Sequence, residues 1–178
     1  MTIERGQKKL RETEFFYRAL RAERERTWRP EPEAMDFYLS AFLSSARSVT
    51  LALQKDQKVQ YDAWFPDWFV NTLTDEERTR MDFLRDQRNS NLKEGETASS
   101  SGTEQVPISE LQRELALGGG SYRVWGSSIP GTALQPTTVS RRVLSFDEPF
   151  GQNVVVVCEE HLAVLRRLVT EFQQYLAA

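Results

Sequence analysis

The residues whose type and spacing come nearest to a chemical set lie in Leu84-Arg85-Asp86-Gln87-Arg88-Asn89-Ser90-Asn91-Leu92-Lys93-Glu94-Gly95. Arg88 supplies a permanently charged fork that matches phosphate oxygens, Asn89 beside it supplies an orienting amide, and Lys93, five positions after Arg88, adds a second cation. Lys93 binds phosphate readily, but its reference pKa of ~10.4 would have to fall by roughly three units before it served as a base near neutrality. A purely structural role for Arg88 stays open. It falls in phase with Met81 and Leu84, and a buried guanidinium needs a partner, for which Asp36 and Asp62 on other segments are the candidates. Arg47 is a further candidate binding residue, a second cation that would face the same space.

Other sets of reactive side chains are less complete. Cys158 and His161 are three apart on one helical face, a spacing open to two metal ligands or to a thiol and its base. The chain has one cysteine and one histidine, so it lacks the further ligands of a closed zinc shell, and an intramolecular disulfide is excluded. Both residues are better read as part of a buried stripe. Gly118-Gly119-Gly120 has no following lysine and no preceding strand, so it reads as a helix stop rather than a phosphate cradle. The carboxylates are scattered, with no pair on an apolar background. The expectation is a protein with no metal and no cofactor.

The elements that must position these residues are mostly helices. Leu10, Phe16, Tyr17 and Leu20 recur at helical spacing through residues 3 to about 27, where Trp28-Arg29-Pro30-Glu31-Pro32 stops the run. A second helix starts there and reaches about Lys55 on the stripe Met35, Tyr38, Leu39, Phe42, Ala46, Val49, Leu53, with Glu31 and Glu33 favourable to its dipole. Its flanks carry Ser40, Ala41, Ser44, Ser45 and Ser48, small enough for another backbone to approach closely. Tyr61, Trp64, Phe65, Trp68, Phe69 and Leu73 form an aromatic stripe read as core, kinked at Pro66. Thr74 and Glu77 match a capping box opening a helix from 75 to about 90.

Residues 94 to 107 have almost nothing to bury and read as a mobile loop. A short helix from Pro107 to Leu117 follows, then two strand-like segments, Ser121 to Trp125 and Thr138 to Phe146, expected to pair as a small antiparallel ribbon within 121 to 146. Val154 to Val157 alone looks like a strand, but the wider helical phase of Cys158, Leu162, Leu165, Val169, Phe172 and Leu176 argues for one helix from about Gly151 to Leu176. The fold class is therefore mainly α, a four- or five-helix bundle in a single domain over 1 to 178, with a small antiparallel ribbon and a mobile loop.

Composition narrows the function classes. The net charge of -3 divides into 17 Lys+Arg against 16 Asp+Glu over residues 1 to 93 and 6 against 10 over the remainder, so neither half has the basic surplus of a nonspecific nucleic-acid binder. Residues 5 to 29 do hold nine basic residues against four acidic ones, a surplus that reads as a solvated helix face and would also suit phosphate. The longest wholly apolar run, Val154 to Cys158, is five residues against the ~20 needed to span a bilayer. No membrane association is expected, and a soluble cytoplasmic protein is the default reading.

With these residues in view, the chain resembles the HEPN superfamily. That family's signature is an arginine, four to six intervening residues and a histidine near the end of a helix; here Arg88 and Asn89 match its start, and the stretch FYLSAFLSSARSVT, Phe37 to Thr50, is similar to helices of uncharacterised bacterial HEPN-like proteins. The resemblance covers residues 1 to about 95 and less securely the last helix. It implies a homodimer with the motif at an inter-subunit cleft, and RNA as a partner cleaved without metal in active members, in defence or toxin–antitoxin settings. Arg88 would then stabilise phosphate charge, with Lys93 standing where the histidine belongs. Two functions follow: a catalytically degenerate, dimerising, RNA-contacting module, or an active endoribonuclease using Arg88 and Lys93. A purely structural interaction protein is a third. No partner protein is indicated.

Overall fold

The computed structural model describes residues 2–26, 31, 33–94, 99–117, 138–147 and 150–178. Among them are six helices and a two-stranded ribbon, in the order α1 (Glu4–Glu25), α2 (Ala34–Asp56), α3 (Lys58–Asn71), α4 (Asp75–Glu94), β1 (Ser99–Pro107), α5 (Ile108–Leu117), β2 (Thr138–Phe146) and α6 (Val154–Ala177). The protein is mainly α, as its periodicity indicates. No helix among the described residues is long and apolar enough to cross a membrane.

α1 and α2 pack as an antiparallel pair, fastened where the start of one meets the end of the other. The Asp56 carboxylate, at the end of α2, accepts hydrogen bonds from the Arg5 and Gly6 backbone N–H groups at 3.0 and 3.3 Å. An acidic group there satisfies two otherwise orphaned donors and complements the positive end of the α1 dipole. The two helices come so close that a Cβ on Gly6 would lie 2.3 Å from Leu53 Cδ2.

α6 runs through the centre and touches α1, α2, α3 and α4. Val154, Val157, Cys158, Leu168 and Phe172 are wholly buried there, and Asn153 caps its start by accepting from Val155 N–H at 2.9 Å. The stretch from Val154 to Val157 is thus helical. β-branched residues keep this conformation because Val154, Val155 and Val157 are packed into the core, and packing outweighs their small intrinsic preference for strands.

α3 carries the aromatic stripe against α6. Trp64, Tyr61 and Tyr175 surround Phe172 with ring centroids 5.1, 5.3 and 6.3 Å away, and Trp68 Nε1–H donates to Glu171. Pro66 does not divide the helix, which is continuous from Lys58 to Asn71; the proline lies on its exposed side, where the carbonyl of Asp62 can turn to water. The turn into α4 is closed by Arg78, which donates to the Val70 and Leu73 carbonyls at 2.6 and 2.7 Å, and by the capping box of Thr74 and Glu77, whose reciprocal bonds measure 2.9 and 3.2 Å.

The expectation of a mobile loop over 94 to 107 is corrected for residues 99–107. They form β1, paired antiparallel with β2 from Ser99 opposite Phe146 to Pro107 opposite Thr138. Burial could not have supported this strand, since Val106 is its one buried residue. The ordering comes from its partner: Leu144 and Phe146 of β2 are buried at 2% and 1% exposure, and β1 gains its backbone ladder by lying beside them. Arg141 of β2, ion-paired to Glu104 and Glu110, and Arg24, paired with Glu104 at 3.4 Å, tie the ribbon to α5 and α1. The other strand expected, Ser121 to Trp125, and the triple glycine lie outside the described residues.

Candidate functional site

The four residues singled out by sequence lie on α2 and α4, which run antiparallel in contact, Ser40 Oγ donating to Asn91 Oδ1 at 2.7 Å. Arg88 is half-buried on α4, and its Nη1 donates to Asn89 Oδ1 at 3.2 Å. Its Nε is buried without a hydrogen-bond partner, and it makes no ion pair among the described residues. Asp62, one carboxylate considered for it, is held instead by Gln54 and Lys58, bonds that keep its carboxyl below the usual range. Lys93 is exposed in the last turn of α4. At about 100° per residue, five residues carry Lys93 roughly 140° around the axis from Arg88. The two cations therefore leave the helix on different faces, and one subunit does not bring them to a common phosphate.

Arg47 meets a different part of α4. It lies in the wall of a cavity of about 400 Å³ enclosed by α2, α3, α4 and α6, to which α4 contributes Met81, Asp82, Leu84 and Arg85, but not Arg88. Phe65 and Phe69 of α3 make an aromatic side, and Leu43 and Leu165 add apolar surface. Arg47 Nη1 donates to Thr50 Oγ1 at 3.1 Å, and no carboxylate pairs with it among the described residues. Arg85, by contrast, is neutralised by Asp82 at 2.8 Å and Asp86 at 3.4 Å.

His161 reaches the same cavity from α6. It is buried at 5% exposure, packs edge-on to Phe42, and leaves Nδ1 without a hydrogen-bond partner. Burial and the nearby positive charge of Arg80 push its pKa down to about 4, so the ring is neutral at neutral pH. Arg80 is itself paired with Glu76 and Glu160 at 3.0 and 2.7 Å. Cys158 is one turn earlier and fully buried, and burial pushes its thiol up, away from the reactive thiolate. Among the described residues no three His, Cys, Asp or Glu side chains cluster to hold a metal ion.

Sequence reasoning named Arg47 but assigned it to the space of Arg88, and it missed Arg85 and the exposure of His161 to a cavity. Arg85 stands three residues after Asp82 and reads as an ordinary surface pair. His161 shares the phase of the buried stripe, so periodicity alone gives no sign that one side of it borders open space. No family model matches this chain, and neither the curated proteins nor the solved structures give a significant match. What remains is a class defined by architecture: a helical bundle around a central last helix, carrying a cavity of mixed polar and apolar lining and, on α4, an arginine with no counter-ion among the described residues.

Proposed function

We propose that the protein is a catalytically degenerate HEPN-like bundle that works as a dimerising, RNA-contacting module. The observation that carries this reading is Arg88. A half-buried guanidinium whose polar contact is the neutral amide of Asn89, with no carboxylate among the described residues to cancel its charge, keeps its capacity for a phosphate. Contact is favoured over catalysis by the direction of Lys93, which leaves α4 on another face and is exposed to water.

Fluorescence anisotropy with a mixed-sequence single-stranded RNA, in chelator, tests the contact, and gel analysis of the same mixtures tests cleavage. Wild type binds without cleaving, and Arg88→Ala weakens binding and lowers the slope of log affinity against log salt by about one counter-ion. Lys93→His, which brings a base with a reference pKa of ~6.5, gains metal-independent cleavage if two subunits join their motifs. Strong cleavage by wild type that Lys93→His reduces would establish the endoribonuclease reading instead. Absence of binding by folded wild type, or a monomer mass in light scattering, would return Arg88 to a structural role.

A further inference from the structure

We propose that the cavity between α2, α3, α4 and α6 is a binding site for a small singly charged anion with a flat apolar body, an aromatic monocarboxylate. This site is separate from the RNA contact at Arg88 and stands or falls without it.

The charge follows from the wall. Arg85 and Asp82 cancel at 2.8 Å, His161 is neutral, and Arg47 is left as one unbalanced positive charge beside apolar surface. One carboxylate cancels it and fits the guanidinium fork with two parallel hydrogen bonds. A phosphate monoester brings a second negative charge that no further cation in the wall is free to meet, and the partly apolar surroundings make that charge costly. The body follows from the remaining lining. Phe65 and Phe69 share the lining with Leu43, Leu84 and Leu165, in a space of about 400 Å³, within the ~300–1,000 Å³ typical of small-molecule sites.

His161 lines the cavity with a neutral ring and so adds no charge for the ligand to balance. Its unpartnered Nδ1 lies beneath the wall, out of reach of a ligand, and sets no further polar requirement on the ring.

Isothermal titration of the full chain with naphthoate, naphthalenemethanol, naphthyl phosphate and acetate tests each element. Naphthoate binds, the neutral alcohol and acetate are at least about tenfold weaker, and naphthyl phosphate is no tighter than naphthoate despite its greater charge. Arg47→Gln costs at least about tenfold in naphthoate affinity and Arg47→Lys less, whereas Arg88→Ala changes nothing. Far-ultraviolet circular dichroism and thermal melting of each variant verify that it is folded. A phosphate ester that binds about tenfold more tightly than the carboxylate overturns the assigned ligand class, and naphthoate affinity indifferent to Arg47→Gln, or no binding by any ring compound, overturns the site.

Discussion

Replacing His161 by leucine should change how stability depends on pH far more than it changes stability at neutrality. In the folded chain, burial and Arg80 hold the imidazole at about 4, against the ordinary 6.5 that an unfolded chain restores. Between those values the unfolded state binds a proton that the folded state refuses, so stability rises with pH across the window and is lost as pH falls through it. At ~1.4 kcal/mol per pH unit, the full gap is about 3 kcal/mol, of which about 2 kcal/mol disappears between about pH 7 and about pH 5. His161→Leu has no such proton to bind. The carboxylates that also titrate on acidification, Asp62 and Glu77 with their lowered pKa values among them, are common to both proteins and cancel in the difference. Arg80, Arg47 and Arg85, on the helices packed against α6, are likewise common to both proteins. Urea unfolding of both proteins at several pH values reads the effect directly: the wild type should lose about 2 kcal/mol relative to the variant over this range. Parallel stability curves for the two proteins, within about 0.5 kcal/mol, would mean that His161 titrates as it does in water, and the neutral, unpartnered imidazole in the cavity would have to be abandoned.

Two further outcomes test the packing. Gly6→Ala, which would gain about 1 kcal/mol on an open helix, should instead lower the melting temperature, because the new Cβ would meet Leu53 Cδ2 at 2.3 Å and Leu53 is wholly buried; stabilisation would show that α1 and α2 are not so close. Thr74→Ala should cost about 1 kcal/mol in urea unfolding by opening the capping box with Glu77, and an unchanged midpoint would deny that box any share in holding the start of α4.

Most of the helical fold was legible because its signal is local. The stripe from Met35 to Leu53 and the stripe from Cys158 to Leu176 each repeat over several turns, and the structure places both in helices at nearly the expected bounds. The ribbon was half legible. Thr138 to Phe146 reads as a strand from its own residues, but Ser99 to Pro107 is a strand only because β2 lies beside it. Its sequence, almost all small and polar, carries no burial pattern, and pairing across some thirty intervening residues leaves no periodicity to find. Pro66, read from sequence as a kink, leaves α3 continuous: a proline on the water-facing side of a helix removes one hydrogen bond without dividing an element whose other face is packed against α6.

The candidate sites divide along the same line. Arg88, Asn89 and Lys93 were found as a spacing, and spacing along one helix fixes their relative directions, so the divergence of Arg88 and Lys93 was implicit in the five residues between them. The cavity was implicit in nothing local. Arg47, Arg85 and His161 come from three helices, and each has an innocent reading where it stands: a charge among small residues, the partner of Asp82, a polar member of a buried stripe. Their meeting depends on how α2, α4 and α6 pack together, with Phe65 and Phe69 of α3 completing the wall. Arg47 acquires its significance from a balance of charge that only the assembled wall completes. Asp82 is already committed to Arg85, so the one carboxylate within the cavity cannot serve Arg47 as well, and the unpaired cation is a property of the packing rather than of any segment.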